Sequence, residues 1–314
     1  MIDSLLESWR LVQLLSLDGF LAGLALAIAA PWVGTLLILR RMPFLGLAIP
    51  QLAGAGTALA WFAFPLVFPA TFASPDVHDH PPTTFLLVGS TIAIVVGLLI
   101  LAMMGRGGRA TSSQAAIVFL IALAVAEIAW VTGPYPEMAE SLARRGRLLT
   151  VLAPGRDIVI AASALAWILA ISFRRPLWLS AFDRDLTRLK GSRPGTWLMI
   201  TLLLSGGLAA ACVPEIGPEA VLALLLIPPA VLNRASPSLA AYAPLSSLAG
   251  VIGTAAAFHV SFARDWPLNP TLILCLLAAS LSVSALAAVT ARVRRGIQRA
   301  SIARRIQASG ASSS

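Results

Sequence analysis

Met42–Ser74, MPFLGLAIPQLAGAGTALAWFAFPLVFPATFAS, carries no ionisable side chain. Arg40-Arg41 stand immediately before it, and Asp76, His78, Asp79 and His80 follow it. A helix crosses the hydrocarbon core of a bilayer with about 20 apolar residues, so this stretch is long enough to span. The flanking arginines are the kind of charge that sets which end faces the cytoplasm.

The rest of the chain reads the same way. It is 58% hydrophobic and 12% charged, against about 25% charged residues in a soluble domain. The net charge of +9 comes almost wholly from arginine, since Lys190 is the single lysine. These arginines fall in the breaks between apolar runs, so the charge sets topology and does not point to nucleic acid. Cys212 and Cys275 lie in or beside apolar runs and are read as buried thiols, not as a disulfide framework or metal motif. Residues 1–17 mix Asp3, Glu7 and Arg10 with leucine and lack the basic start and cleavage site of a signal peptide.

Apolar runs recur at Gly19–Leu39, Ala48–Ala70, Phe85–Met104, Ala115–Val131, Ile158–Ile171, Trp197–Val213, Ala220–Leu232, Leu239–Phe262 and Leu272–Val293. Lipid offers no partner to an open strand edge, so each is expected to be a helix. The seventh run is short, and the expected count is eight or nine spans in an all-α membrane protein. Arginine is concentrated at Arg40-Arg41, Arg106–Arg109, Arg174–Arg193, Arg234 and Arg292–Arg305, which alternate with the poorer breaks. The richer set is assigned to the cytoplasm. The C-terminus is then inside and, with nine spans, the N-terminus outside. Arg144, Arg145 and Arg147 fall against this pattern. The domain reading is an outer segment at 1–17, a transmembrane unit at 18–293 and a basic cytoplasmic tail at 294–314.

Residues 174–195 form the longest break on the inner side and carry Asp183, Arg184, Asp185, Arg188 and Lys190 at helical spacing. A short polar helix there suits either an ordinary loop or the place where a soluble motor pushes on a membrane domain. Glu127 lies inside the fourth run, where a carboxylate costs about 2.5–3.5 kcal/mol and must face protein or water. Glu219 and His259 lie nearer the ends of their runs. Pro228-Pro229 remove two helix donors and read equally as a hinge or as a stop before Asn233-Arg234. The outer loop Asp76-Val77-His78-Asp79-His80 alternates imidazole with carboxylate and is a weak metal candidate.

Four segments then carry a resemblance. Arg40-Arg41-Met42-Pro43-Phe44-Leu45-Gly46 resembles the turn after the first span of metal-type ABC importer permeases, the zinc and manganese uptake family. Ile216-Gly217-Pro218-Glu219, followed by Leu224-Leu225-Leu226-Ile227-Pro228-Pro229-Ala230, is similar to its Val-Gly and Leu-Leu-Ile-Ile-Pro-Ala-Ala pattern. Arg264-Asp265-Trp266-Pro267-Leu268-Asn269-Pro270-Thr271 resembles the turn before its last span. Asp185-Leu186 with Gly191 is similar to its cytoplasmic coupling region. The order holds over Leu17 to Val293.

The resemblance implies a type II permease fold, a two-fold membrane dimer (homodimer or heterodimer), two cytoplasmic ATPase subunits and an extracytoplasmic solute-binding protein, in a bacterial inner membrane. Asp183, Asp185 and Gly191 would belong to ATPase coupling. ATP would bind the partner chain, and no cofactor is expected on this one. In agreement, the sequence has no phosphate-binding Gly-x-x-x-x-Gly-Lys-Ser/Thr loop and no nucleophile–base pair. In one respect the chain departs from the family. Where the family's second span usually carries an acidic residue and a histidine four positions later, this sequence has Leu47 and Gln51. Gln51, Glu127, Glu219 and His259 are therefore the pathway candidates. The competing readings are an ion-coupled secondary transporter using Glu127 and a non-transporting scaffold.

Overall fold

The computed structural model describes residues 16–69, 81–104, 112–133, 147–151 and 153–311, without the side chains of 147, 150, 184 and 291–311. Every regular element among them is helical: α1 (Leu17–Leu39), α2 (Pro43–Val67), α3 (Thr83–Met104), α4 (Ser112–Thr132), a 3₁₀ turn (Arg147–Thr150), α5 (Ala153–Ser172), α6 (Arg174–Phe182), α7 (Arg184–Leu189), α8 (Pro194–Ile216), α9 (Pro218–Leu232), α10 (Leu239–Arg264) and α11 (Leu268–Ala311). Eight of these are long and apolar enough to cross a membrane. The exception among the apolar helices is α9, whose 15 residues extend about 22 Å against a core of about 30 Å.

Contacts at the helix ends fix how the chain runs. Asp18 at the start of α1 pairs with Arg156 in the first turn of α5, so both start at one end of the bundle. Arg40, following α1, bonds Ser180 of α6 at the other end. Trp197 near the start of α8 and Leu239 at the start of α10 line one cavity with residues of α6, so α8 and α10 both begin at that second end. The short helix α9 must carry the chain back between them. The expected choice between eight and nine thus resolves into eight long spans and a ninth, shorter traversal. The start of α1 and the far end of α11 lie at opposite ends.

Burial separates centre from rim. In α1 and α2, 72% and 78% of the apolar window is buried, against 28% in α3, α4 and α5. The rim helices turn residues such as Ile92, Leu99, Leu120 and Ile128 outward, as lipid-facing surfaces do. Small residues let the centre close up. A Cβ on Gly34 of α1 would overlap the carbonyl oxygen of Leu225 in α9, and one on Gly250 of α10 would stand 2.7 Å from that of Ala27 in α1.

Those two carbonyls have a common origin. Pro229 and Pro31 lie four residues beyond Leu225 and Ala27, and proline has no N–H to return to the carbonyl one turn back. In each case a glycine of a neighbouring helix packs its Cα against the freed oxygen, the geometry of a Cα–H···O contact. Pro214 frees Ala210 in the same manner, and there Ser90 of α3 donates its hydroxyl to the Ala210 oxygen at 2.8 Å. Pro31, Pro214 and Pro229 are therefore stitching points between helices.

Candidate functional site

The segment between α5 and α8 is built from local capping. Asp183 Oδ1 accepts the backbone N–H groups of Asp185 and Leu186, both at 2.9 Å, which N-caps α7. Gly191 closes the other end. Its N–H donates to the Arg188 oxygen and that of Ser192 to the Thr187 oxygen, the paired bonds of a Schellman motif. This turn needs a left-handed residue, and Gly191 has φ +74° with no atom within 4 Å of where a Cβ would lie. Backbone conformation, not space, requires glycine here. A six-residue helix is thus held at both ends while Asp185, Leu186, Arg188 and Leu189 stay exposed.

The segment is also tied to the core. Arg40, buried at the end of α1, donates from Nη2 to Ser180 Oγ at 2.7 Å, and Ser180 donates to the Leu177 oxygen. Trp178 of α6 stacks on Trp32 of α1, with ring centroids 6.4 Å apart. Leu177 is fully buried. The Arg40-Arg41 turn therefore does two jobs. Arg40 clamps α6, and Arg41 takes φ 58° to turn the chain into α2.

From α1 the contacts continue to α9 through Gly34, Leu225 and Pro229. Pro228 and Pro229 are buried and do not break α9, which continues to Leu232. The Pro229 oxygen accepts from Tyr242 Oη of α10 at 2.6 Å and from the Asn233 N–H at 3.0 Å. On its other side α9 lies antiparallel to α2. Gly46 faces Leu226 and Gly54 faces Pro218.

The pathway candidates are dispersed. Gln51 is buried on α2, and Leu47 is half-buried one turn before it. Glu219 is exposed in the first turn of α9, directly after the half-buried Pro218 that meets Gly54. Glu127 is exposed on α4, five residues from its end, on a stripe with Leu120, Ile128 and Val131. His259 is half-buried on α10. Gln51 and Glu219 lie on two helices that pack together, α2 and α9. Among the described residues no group of three His, Cys, Asp or Glu is placed to hold a metal ion. Asp76, His78, Asp79 and His80 lie outside the described residues. Cys212 and Cys275 are free thiols, the first buried and the second half-buried. Asp265 is a turn residue, as its Pro-rich setting suggests. It has φ 51° and caps α10, where the Trp266 N–H reaches the Ser261 oxygen.

Sequence reasoning did not find the Ser90–Ala210, Tyr242–Pro229 or Asp18–Arg156 pairs. The signal for the first was the proline four residues beyond Ala210. The other two carry no local mark.

Eight spans, a short returning helix and a doubly capped segment displayed at one end define a multi-pass membrane protein. The sequence pattern of the ABC 3 transport family matches residues 14–287. The chain belongs to that family, and it is an ABC transporter permease subunit. Its fold is that of PsaBC from Streptococcus pneumoniae, solved in complex with a Fab: TM-score 0.73 at 19% identity, covering 90% of this chain and 95% of the other. It is also similar to a transporter assigned to the metal-chelate ABC type, solved in an inward-facing conformation: TM-score 0.64 at 15% identity, covering 85% of each chain. No curated protein sequence gives a significant match.

Proposed function

We propose that this permease imports a divalent metal ion of the zinc or manganese kind, or a related solute, by alternating access driven by a separate ATPase. The observation that carries the reading is the segment 174–195. It is rigidly capped at Asp183 and Gly191, exposes Asp185, Leu186 and Leu189, and is clamped to α1 through Arg40 and Trp178. A push on this segment enters the most buried helices directly, and α1 passes it to α9 at Pro229, where the buried Pro228-Pro229 pair serves as the hinge. Two discrete packings of these helices would open the path to either side.

ATP binds the partner subunit, and this chain carries no cofactor of its own. An extracytoplasmic solute-binding protein delivers the substrate at the end where α1 starts. The capped segment and the C-terminus face the cytoplasm of a bacterial inner membrane. Glu127 supports a second permease beside this one. A carboxylate on an exposed apolar stripe must meet protein or water, and a partner permease covering α4 supplies either. A proton or ion site in a self-contained secondary transporter would instead be enclosed by its own helices.

The substrate class within this reading turns on Leu47 and Gln51. Leucine has no donor atom, and a neutral amide oxygen is a poor ligand for zinc beside imidazole, thiolate or carboxylate. A heterodimer whose other permease supplies the ligands, or a chelated substrate, satisfies this departure. The test is reconstitution with a cognate ATPase and solute-binding protein. Asp185→Arg is expected to lower ATP-driven uptake by about tenfold or more while leaving thermal unfolding unchanged. Gly191→Val should also lower uptake, with a small loss of thermal stability from backbone strain of about 1–2 kcal/mol, and Gly191→Asn should retain more activity. Uptake driven by a proton gradient with no ATPase present would overturn the reading.

A further inference from the structure

Where the spans meet the capped segment there is a cavity of about 700 Å³, within the range of sites that hold a small ligand. Its walls combine two kinds of group. Arg175, Lys190 and Ser192 are polar, and Trp178, Trp197 and Phe182 are aromatic. Its depth is set by the elements that line it. Trp197 is in the first turn of α8 and Leu239 is the first residue of α10, so the cavity lies level with the starts of two spans. Tryptophan at that level marks the boundary between acyl chain and headgroup.

The charge is unspent. Described ion pairs occupy Arg156 with Asp18 and Asp157, and Arg188 with Asp185. No described acid reaches Arg175 or Lys190. The Asp183 carboxylate is engaged in its cap. The surface left for a soluble partner is a different one, because Asp185, Leu186 and Leu189 do not line the cavity.

We infer that this cavity is a binding site for an anionic phospholipid, whose phosphate pairs with Arg175 and Lys190 and whose glycerol and upper acyl carbons lie against Trp178, Trp197 and Phe182. Guanidinium and ammonium groups both recognise phosphate, and basic pockets between spans at a membrane face are suited to such headgroups. The lipid would brace α6 against α8 and α10, beneath the capped segment. The inference rests on the membrane placement of the spans and not on what the permease transports.

The test is native mass spectrometry of the detergent-purified full chain titrated with dioleoylphosphatidylglycerol, with dioleoylphosphatidylcholine and inorganic phosphate as comparisons. The wild type should retain phosphatidylglycerol preferentially. Arg175→Ala combined with Lys190→Ala should weaken that retention roughly thirtyfold, each basic side chain acting on the same phosphate, and Arg175→Lys should restore part of it. Thermal unfolding of each variant is measured beside it, so that misfolding is recognised. The basic segment beyond Arg292 is common to all variants and cancels from the comparison. Three results would overturn the inference. The double variant retains the lipid as well as wild type. Inorganic phosphate at millimolar concentration displaces phosphatidylglycerol, which makes the cavity a free-anion site. The double substitution lowers affinity for the ATPase subunit while lipid retention is unchanged, which makes it a protein-docking site.

Discussion

Ser90 and Tyr242 each donate a hydroxyl to a backbone oxygen beside a proline, yet they should not matter equally. Ser90 reaches Ala210, whose helical donor is missing because Pro214 has no N–H. Removing the hydroxyl leaves that oxygen in an apolar interior, so Ser90→Ala should cost about 1 kcal/mol, the scale of interhelical hydrogen bonds in membranes. Tyr242 reaches Pro229, whose oxygen also accepts from the Asn233 N–H, so Tyr242→Phe should cost less. Thermal unfolding in detergent distinguishes them, and a larger loss for Tyr242→Phe would contradict the account. Legibility in the sequence follows the same division between local and distant. Asp183 was legible from its place in a polar break and Gly191 from its resemblance beside Asp185-Leu186, and the caps that both form lie within a few residues. Ser90 and Ala210 are 120 positions apart, and only the proline hinted that Ala210 needed a donor. Gln51 and Glu127 were legible as polar residues in apolar runs, but burial of one and exposure of the other depend on neighbours that no local pattern specifies.

Among elements, the seam between α1 and α9 is tighter than that between α2 and α9, and the reason is the kind of atom in the way. A methyl group on Gly34 would collide with the backbone oxygen of Leu225, which can move only if the helix moves. One on Gly46 would meet the side-chain tip of Leu226, its nearest atom 2.6 Å away, and that tip can rotate. Overpacking a fixed neighbour costs about 1–3 kcal/mol. Gly34→Ala should therefore lower the unfolding temperature of the detergent-solubilised protein clearly, and Gly46→Ala only slightly. If both substitutions were equally harmful, α9 would be held as rigidly against α2 as against α1, and α1 would lose its place as the proposed route from the capped segment to Pro229. The helices themselves were legible in the sequence because apolar length is a property of a run. Their partners were not, because glycine and proline mark close approach without naming what approaches.

At the scale of the whole molecule the alternation of the nine traversals among the described residues has a consequence that can be measured from outside. Gly195 belongs to the end that carries the capped segment, and Trp266 to the turn between α10 and α11 at the opposite end. The arginine-rich breaks gather at the first of these ends, and such charge is retained in the cytoplasm. Gly195 has no atom within 4 Å of a Cβ position, and Trp266 is 52% exposed, so a cysteine at either place should be tolerated and reachable. The native thiols lie within the spans at Cys212 and Cys275, one buried and one half-buried, and the Cys212→Ser, Cys275→Ser background removes what signal they give. In intact cells a membrane-impermeant maleimide should label Trp266→Cys and leave Gly195→Cys untouched, and inverted membrane vesicles should give the reverse. Labelling of both from one side would mean that α9 does not return the chain. The reverse pattern would mean that the orientation is set by something other than the arginines, and the capped segment would then face away from any cytoplasmic ATPase.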